Sequence, residues 1–154
     1  MYSREEAAQI RKEFWMAFDA YSRKFIGAKQ KWITYNTGLK DIVLKFDLDR
    51  NRARVMLLVE HRNEDKRFDI FVRIKGFEML YEDNLGEGWI WDEQLMTNSG
   101  KEVCAIYKQL DDVNIYNKNQ WTDIFDFFGI EMMKIESAFL EFKPLIKDYI
   151  NTNF

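Results

Sequence analysis

A single cysteine, Cys104, excludes an internal disulfide and a cysteine-based zinc site. A single histidine, His61, leaves any Ser-His or Cys-His nucleophile pair only one base to use, and no pattern marks its partner. Between Glu60 and Arg62 it reads as a surface or capping residue. A single proline, Pro144, and the lack of any Gly- or Ser-rich stretch leave no linker, repeat or low-complexity segment. One domain over residues 1–154 is therefore expected. No run reaches the roughly 18 uncharged apolar residues of a membrane span. The opening MYSREEAAQIRKEF lacks the apolar block of a signal peptide, which points to a cytoplasmic setting with no membrane partner.

What the chain does have is aromatic mass and uneven charge. Thirteen Phe, seven Tyr and five Trp can fill a core of this size. Residues 50–75 carry eight Lys or Arg against four acids, and residues 76–100 carry six acids and no base. Such neighbouring runs mark a solvated face or a polar binding surface.

Periodicity then assigns elements. Residues 3–26 predict a helix, opened by a Ser3/Glu6 capping box and stopped by Gly27. Its stripe is Ala7, Ile10, Phe14, Ala17, Phe18, Tyr21 and Phe25. Three extended runs follow, Trp32–Tyr35, Lys40–Leu48 and Arg52–Glu60. Residues 64–82 predict a helix capped by Asn63, with Phe68, Phe71, Val72, Met79 and Leu80 on its stripe and Ile70, Ile74, Phe77 and Tyr81 widening it. Gly76 inside it calls for a close packing contact to offset its cost. Trp89–Met96 and Glu102–Gln109 form a second strand pair across Thr97–Gly100. A helix capped by Asn119 or Asn117 ends the chain, broken or kinked by Pro144. The class is α/β in the broad sense (α+β), a mixed sheet flanked by helices in the order α-β-β-β-α-β-β-α. The long central helix would allow the third and fourth strands to run parallel.

The first hairpin can be read at the level of register. Pairing Leu48 with Ala53 puts Ile42, Leu44, Phe46 and Leu48 on one face with Val59, Leu57, Val55 and Ala53, all apolar. A shift of one residue sets Phe46 against Arg54, so the first register is expected. It pairs Asp47 with Arg54 and brings Asp41 opposite Glu60 at the open end. Facing acids repel by a few tenths to about 1 kcal/mol. Lys40, Arg62 or a divalent cation would relieve that.

Helix, three antiparallel strands, crossover helix and strand is also the core order of PD-(D/E)XK nucleases, whose acids these residues resemble in placement. That resemblance implies a catalytic set of Asp41, Glu60 and Arg62, with Asp41, Glu60 and Glu13 holding Mg²⁺ or Mn²⁺. Arg62 stands where the pattern has Lys, and an arginine can stabilise a phosphate but is a poor base. Ordinary charges at the end of a structural hairpin are the favoured reading. Of the remaining motifs, Gly86-Glu87-Gly88 reads as a turn. Trp89 and Trp91 read as packing, Cys104 as a core thiol, and Arg50, Arg52 and Arg54 as a basic hairpin tip able to touch phosphates.

The phrases YSREEAAQIRKEFW, GWIW, IYKQL and IYNKNQW resemble, in order, the bacterial family called domain of unknown function 4268. The resemblance implies a small bacterial protein and no particular activity. A non-catalytic binding or accessory module for a protein or nucleic-acid partner is the expectation, with a metal-dependent phosphodiesterase as the alternative. A homodimer is left open.

Overall fold

The alternation over 42–59 demands a hairpin with one greasy face, and a computed structural model of the chain, describing residues 2–154, contains it. Strands β1 (Ile42–Leu48) and β2 (Arg52–Val59) pair antiparallel in the expected register, from Ile42 opposite Val59 to Leu48 opposite Ala53. Strand β4 (Glu102–Asp111) pairs with the other side of β2, and β3 (Ile90–Met96) with the far side of β4. The sheet order is β1-β2-β4-β3.

Helices α1 (Arg4–Tyr21), α2 (Glu64–Gly76), α3 (Glu78–Leu85) and α4 (Trp121–Asn153) pack on it, giving an α+β fold. The helix-covered face carries Leu44, Val55, Leu57, Cys104 and Ile106 against Phe14, Phe18, Ile70, Phe71, Phe128 and Phe139. The opposite face holds a smaller cluster of Met56, Leu58, Val103, Ala105 and Tyr107.

Several expectations are corrected. Among the described residues every strand pair is antiparallel, and no parallel pair spans the central helices. Trp32–Thr34 is a 3-10 turn rather than a strand, with Trp32 buried in the core. The expected 64–82 helix is two helices, separated at Phe77. An added Cβ on Gly76 would meet nothing, so Gly76 marks the helix end and not a close contact. The buried stripe is Arg67, Ile70, Phe71 and Ile74, while Phe68, Val72, Met79 and Leu80 face outward. Asp47 stands opposite Arg54 in register, but its carboxylate lies 3.6 Å from Arg52. Arg54 donates instead to Gln109 (2.6 Å) and lies over the Tyr107 ring.

The capping box closes α1 as expected, and Gly27 stops it at φ 71°. Between them, Ser22–Ile26 forms a π-helical turn. The extra residue shifts the helical phase, so Phe25 is exposed and Ile26 packs against Gly129, where a Cβ would collide with it. Helix α4 runs through Pro144 without a break. Proline removes the hydrogen bond to the carbonyl of Leu140, and that residue lies on the exposed side, so the loss does not fall in the core. Gln120 precedes α4, and Asn117 caps the preceding 3-10 turn instead.

Candidate functional site

The hairpin register continues one step past the ladder. The Glu60 N–H donates to the Asp41 carbonyl at 2.7 Å, so the two acids are neighbours at the open end. A cleft of about 980 Å³ opens there, and Asp41, Glu60 and Arg62 all line it. Lys40, Lys101 and Arg67 add cations, and Glu64 and Glu102 add acids. The bases Lys40, Arg62, Arg67 and Lys101 thus match the acids Asp41, Glu60, Glu64 and Glu102 in number.

Local chemistry fixes the walls. His61 Nδ1 accepts the Asn63 N–H at 3.0 Å, and Asn63 Oδ1 accepts the Lys66 N–H at 3.0 Å, capping α2. Asn63 is thus the cap, and the histidine orients it by accepting its backbone N–H. Arg62 precedes the helix and is exposed to the cleft. Arg67 is 6% exposed; its Nη1 donates to the His61 carbonyl at 3.1 Å and its Nη2 lies 3.8 Å from Glu102. Lys101, from the turn between β3 and β4, brings its Nζ within 3.8 Å of Glu60. This exposed lysine supplies a cation beside the paired acids.

Glu13 lies apart. It is on α1, it does not line the cleft, and its carboxylate is bound by Lys118 (3.2 Å) and Gln9 (3.4 Å). The hydrogen bond from Lys118, then that from Gln9, holds its carboxyl below the usual range. Among the described residues, no group of three or more His, Cys, Asp and Glu side chains is placed to hold a metal ion.

Arg67, Lys101 and Glu102 were not evident as site residues from sequence. Arg67 carried a signal, a lone charge in a stripe with Ile70, Phe71 and Ile74. Lys101 and Glu102 reach the cleft only because β4 pairs with β2, a contact between strands distant in sequence.

Behind Arg67 lies Cys104, 1% exposed, its Sγ within 3.3 Å of the Glu93 carbonyl. Burial pushes its thiol up to about 11, and nearby Arg67 only partly opposes this. A thiolate is the reactive form, so alkylation of the native chain at mild alkaline pH is expected to run about a hundredfold slower than that of the urea-unfolded chain. Equal rates, measured by mass spectrometry, would contradict the buried placement.

The other motifs are structural. Trp89 donates to the Leu85 carbonyl (3.0 Å), and Trp91 packs on Phe71. Gly86 and Gly88 have φ of 73° and 90°, as a turn there requires. Arg50 lies over the Tyr116 ring, and Arg52 pairs with Asp49 at 2.8 Å.

A family model described as a domain of unknown function, DUF4268, matches residues 10–143. The chain belongs to the DUF4268 family. That span takes in both Asp41 and Glu60 and most of α4. No curated protein and no solved structure matches this DUF4268 chain. Among its described residues, no helix is long and apolar enough to cross a membrane.

Proposed function

We propose that this DUF4268 domain is a non-catalytic binding module that docks a polypeptide partner in the cleft at the open end of the β1–β2 hairpin. Charge balance in the cleft supports a polypeptide over a nucleic acid. Four bases there stand among four acids. A phosphate backbone needs a surplus of cations, and each carboxylate would repel it. A segment carrying both signs finds complementary partners on both walls, which fixes its orientation. The arginines of the basic hairpin tip are already engaged by Tyr116, Asp49 and Gln109.

Affinity capture from the source cells tests this, comparing the native chain with one carrying Lys40→Glu and Arg62→Glu. Both side chains are exposed, so the fold is expected to persist. The reading expects a protein retained by the native chain only and unaffected by nuclease treatment. Retention that nuclease abolishes, or that ignores both substitutions, contradicts it.

A second reading, a phosphodiesterase using Mg²⁺ or Mn²⁺, is favoured by one observation: Asp41, Glu60 and Arg62 share one open cleft. Two carboxylates would hold the ion, and Arg62 would stabilise charge on a phosphate. Titration with Mn²⁺ decides it. Binding that raises the melting temperature and disappears in Asp41→Ala supports this reading, and no binding ends it.

A further inference from the structure

Strand β1 is an edge of the sheet. The Glu60 N–H donates to the Asp41 carbonyl (2.7 Å) and the Asp49 N–H to the Arg52 carbonyl (3.1 Å), so odd-numbered residues of β1 face β2. The even-numbered ones turn their backbone groups outward. The Ile42 carbonyl is taken by Thr37 Oγ1 at 2.6 Å. For Leu44, Phe46 and Leu48, no hydrogen-bond partner is present among the described residues. A groove of about 370 Å³ is lined by Val43 to Phe46 of this strand together with Trp15, Ile33 and Tyr35.

We infer that β1 pairs antiparallel with β1 of a second copy, centred on Phe46, joining two four-stranded sheets into one. The strand's own charges select both occupant and register. With two-fold symmetry about Phe46, Lys45 faces Asp47 of the second copy twice over, while Leu44 faces Leu48 and Phe46 faces Phe46 on the apolar side. Centring on Lys45 sets lysine against lysine, and centring on Asp47 sets acid against acid. Centring on Leu44 faces Lys45 with Val43 and gains no charge pair. A lone lysine on an edge normally blocks pairing. Here Asp47, two residues on along the same face, makes the edge complementary to itself.

Sedimentation equilibrium of the full chain tests this with two single variants, Lys45→Asp and Asp47→Lys. Each alone places like charges opposite each other at both contacts, and each is expected to dimerise at least about tenfold more weakly than the native chain. Mixed in equal amounts, they restore both opposite-charge contacts, and a heterodimer of near-native affinity is expected. A native chain that stays monomeric at every concentration, or a mixture no better than its components, overturns the inference. Asp47→Lys also loses the contact with Arg52, so amide exchange on the native chain serves as a second measurement. The Leu44, Phe46 and Leu48 amides are expected to exchange more slowly as concentration rises, with Val43 and Lys45 unchanged. Exchange at those three positions that is independent of concentration overturns the pairing.

Discussion

Phe18→Ala is expected to lower the unfolding free energy by about 3–5 kcal/mol, a large part of the roughly 5–15 kcal/mol that holds a domain together. Phe18 is fully buried and lies where three elements meet. Its ring is 5.0 Å from Phe46 of β1, 5.3 Å from Phe128 of α4 and 6.3 Å from Trp32. Removing it forfeits the transfer free energy of the ring, the aromatic contacts and the packing around a cavity that a rigid sheet and two helices cannot fill. Phe18→Leu keeps most of the volume and is expected to cost about 1.5 kcal/mol or less. Urea unfolding measures both. A loss below about 1 kcal/mol for the alanine variant would mean that α1 is not anchored as described.

Lys108→Ala is expected to cost about 2–4 kcal/mol, more than an ordinary surface lysine, because it strands a buried acid. Glu131 of α4 is 6% exposed, with Lys108 Nζ 3.2 Å from its Oε2 and Lys134 Nζ 3.3 Å from its Oε1. Lys108 projects from the apolar face of β4, in line with Cys104, Ile106 and Leu110. Lys134 is more exposed and turns partly toward solvent, so it cannot compensate the carboxylate alone. Replacing the pair together, Lys108→Met with Glu131→Leu, removes both charges. That double variant is expected to unfold within about 1 kcal/mol of the native chain. The asymmetry between single and double variants, read from denaturant midpoints, is the test. Equal losses would mean that Glu131 is hydrated rather than buried.

The β1–β2 hairpin was legible because a one-residue slip would have turned four apolar side chains toward water. The Ser3/Glu6 box and Gly27 were legible because capping is local chemistry. The exposure of Phe25 was not, because a π-helical turn inserts a residue into the period and only contact with α4 reveals it. The outward placement of Phe68 and Val72 on α2, and of Met79 and Leu80 on α3, was hidden because apolar residues sit on more than one side of these helices, and the packed face is chosen by tertiary contact. At the cleft, the pairing of Asp41 with Glu60 followed from register, while Arg62 entered as a neighbouring counter-charge and through the nuclease resemblance. Lys101 did not, since its place depends on β4 crossing to β2. Glu13 fails to join them because α1 turns that face toward Lys118.

Chemical cross-linking of the partner complex with an amine-reactive reagent tests the docking proposal most directly, since two exposed lysines of the cleft, Lys40 and Lys101, are built-in reporters. Exposed Lys12, Lys24 and Lys147 lie outside that cleft and serve as controls. Partner peptides joined to Lys40 and Lys101, and lost when Arg62 is changed to Glu, are the predicted result. Partner peptides joined to Lys12, Lys24 or Lys147 with the two cleft lysines unlinked would contradict the account.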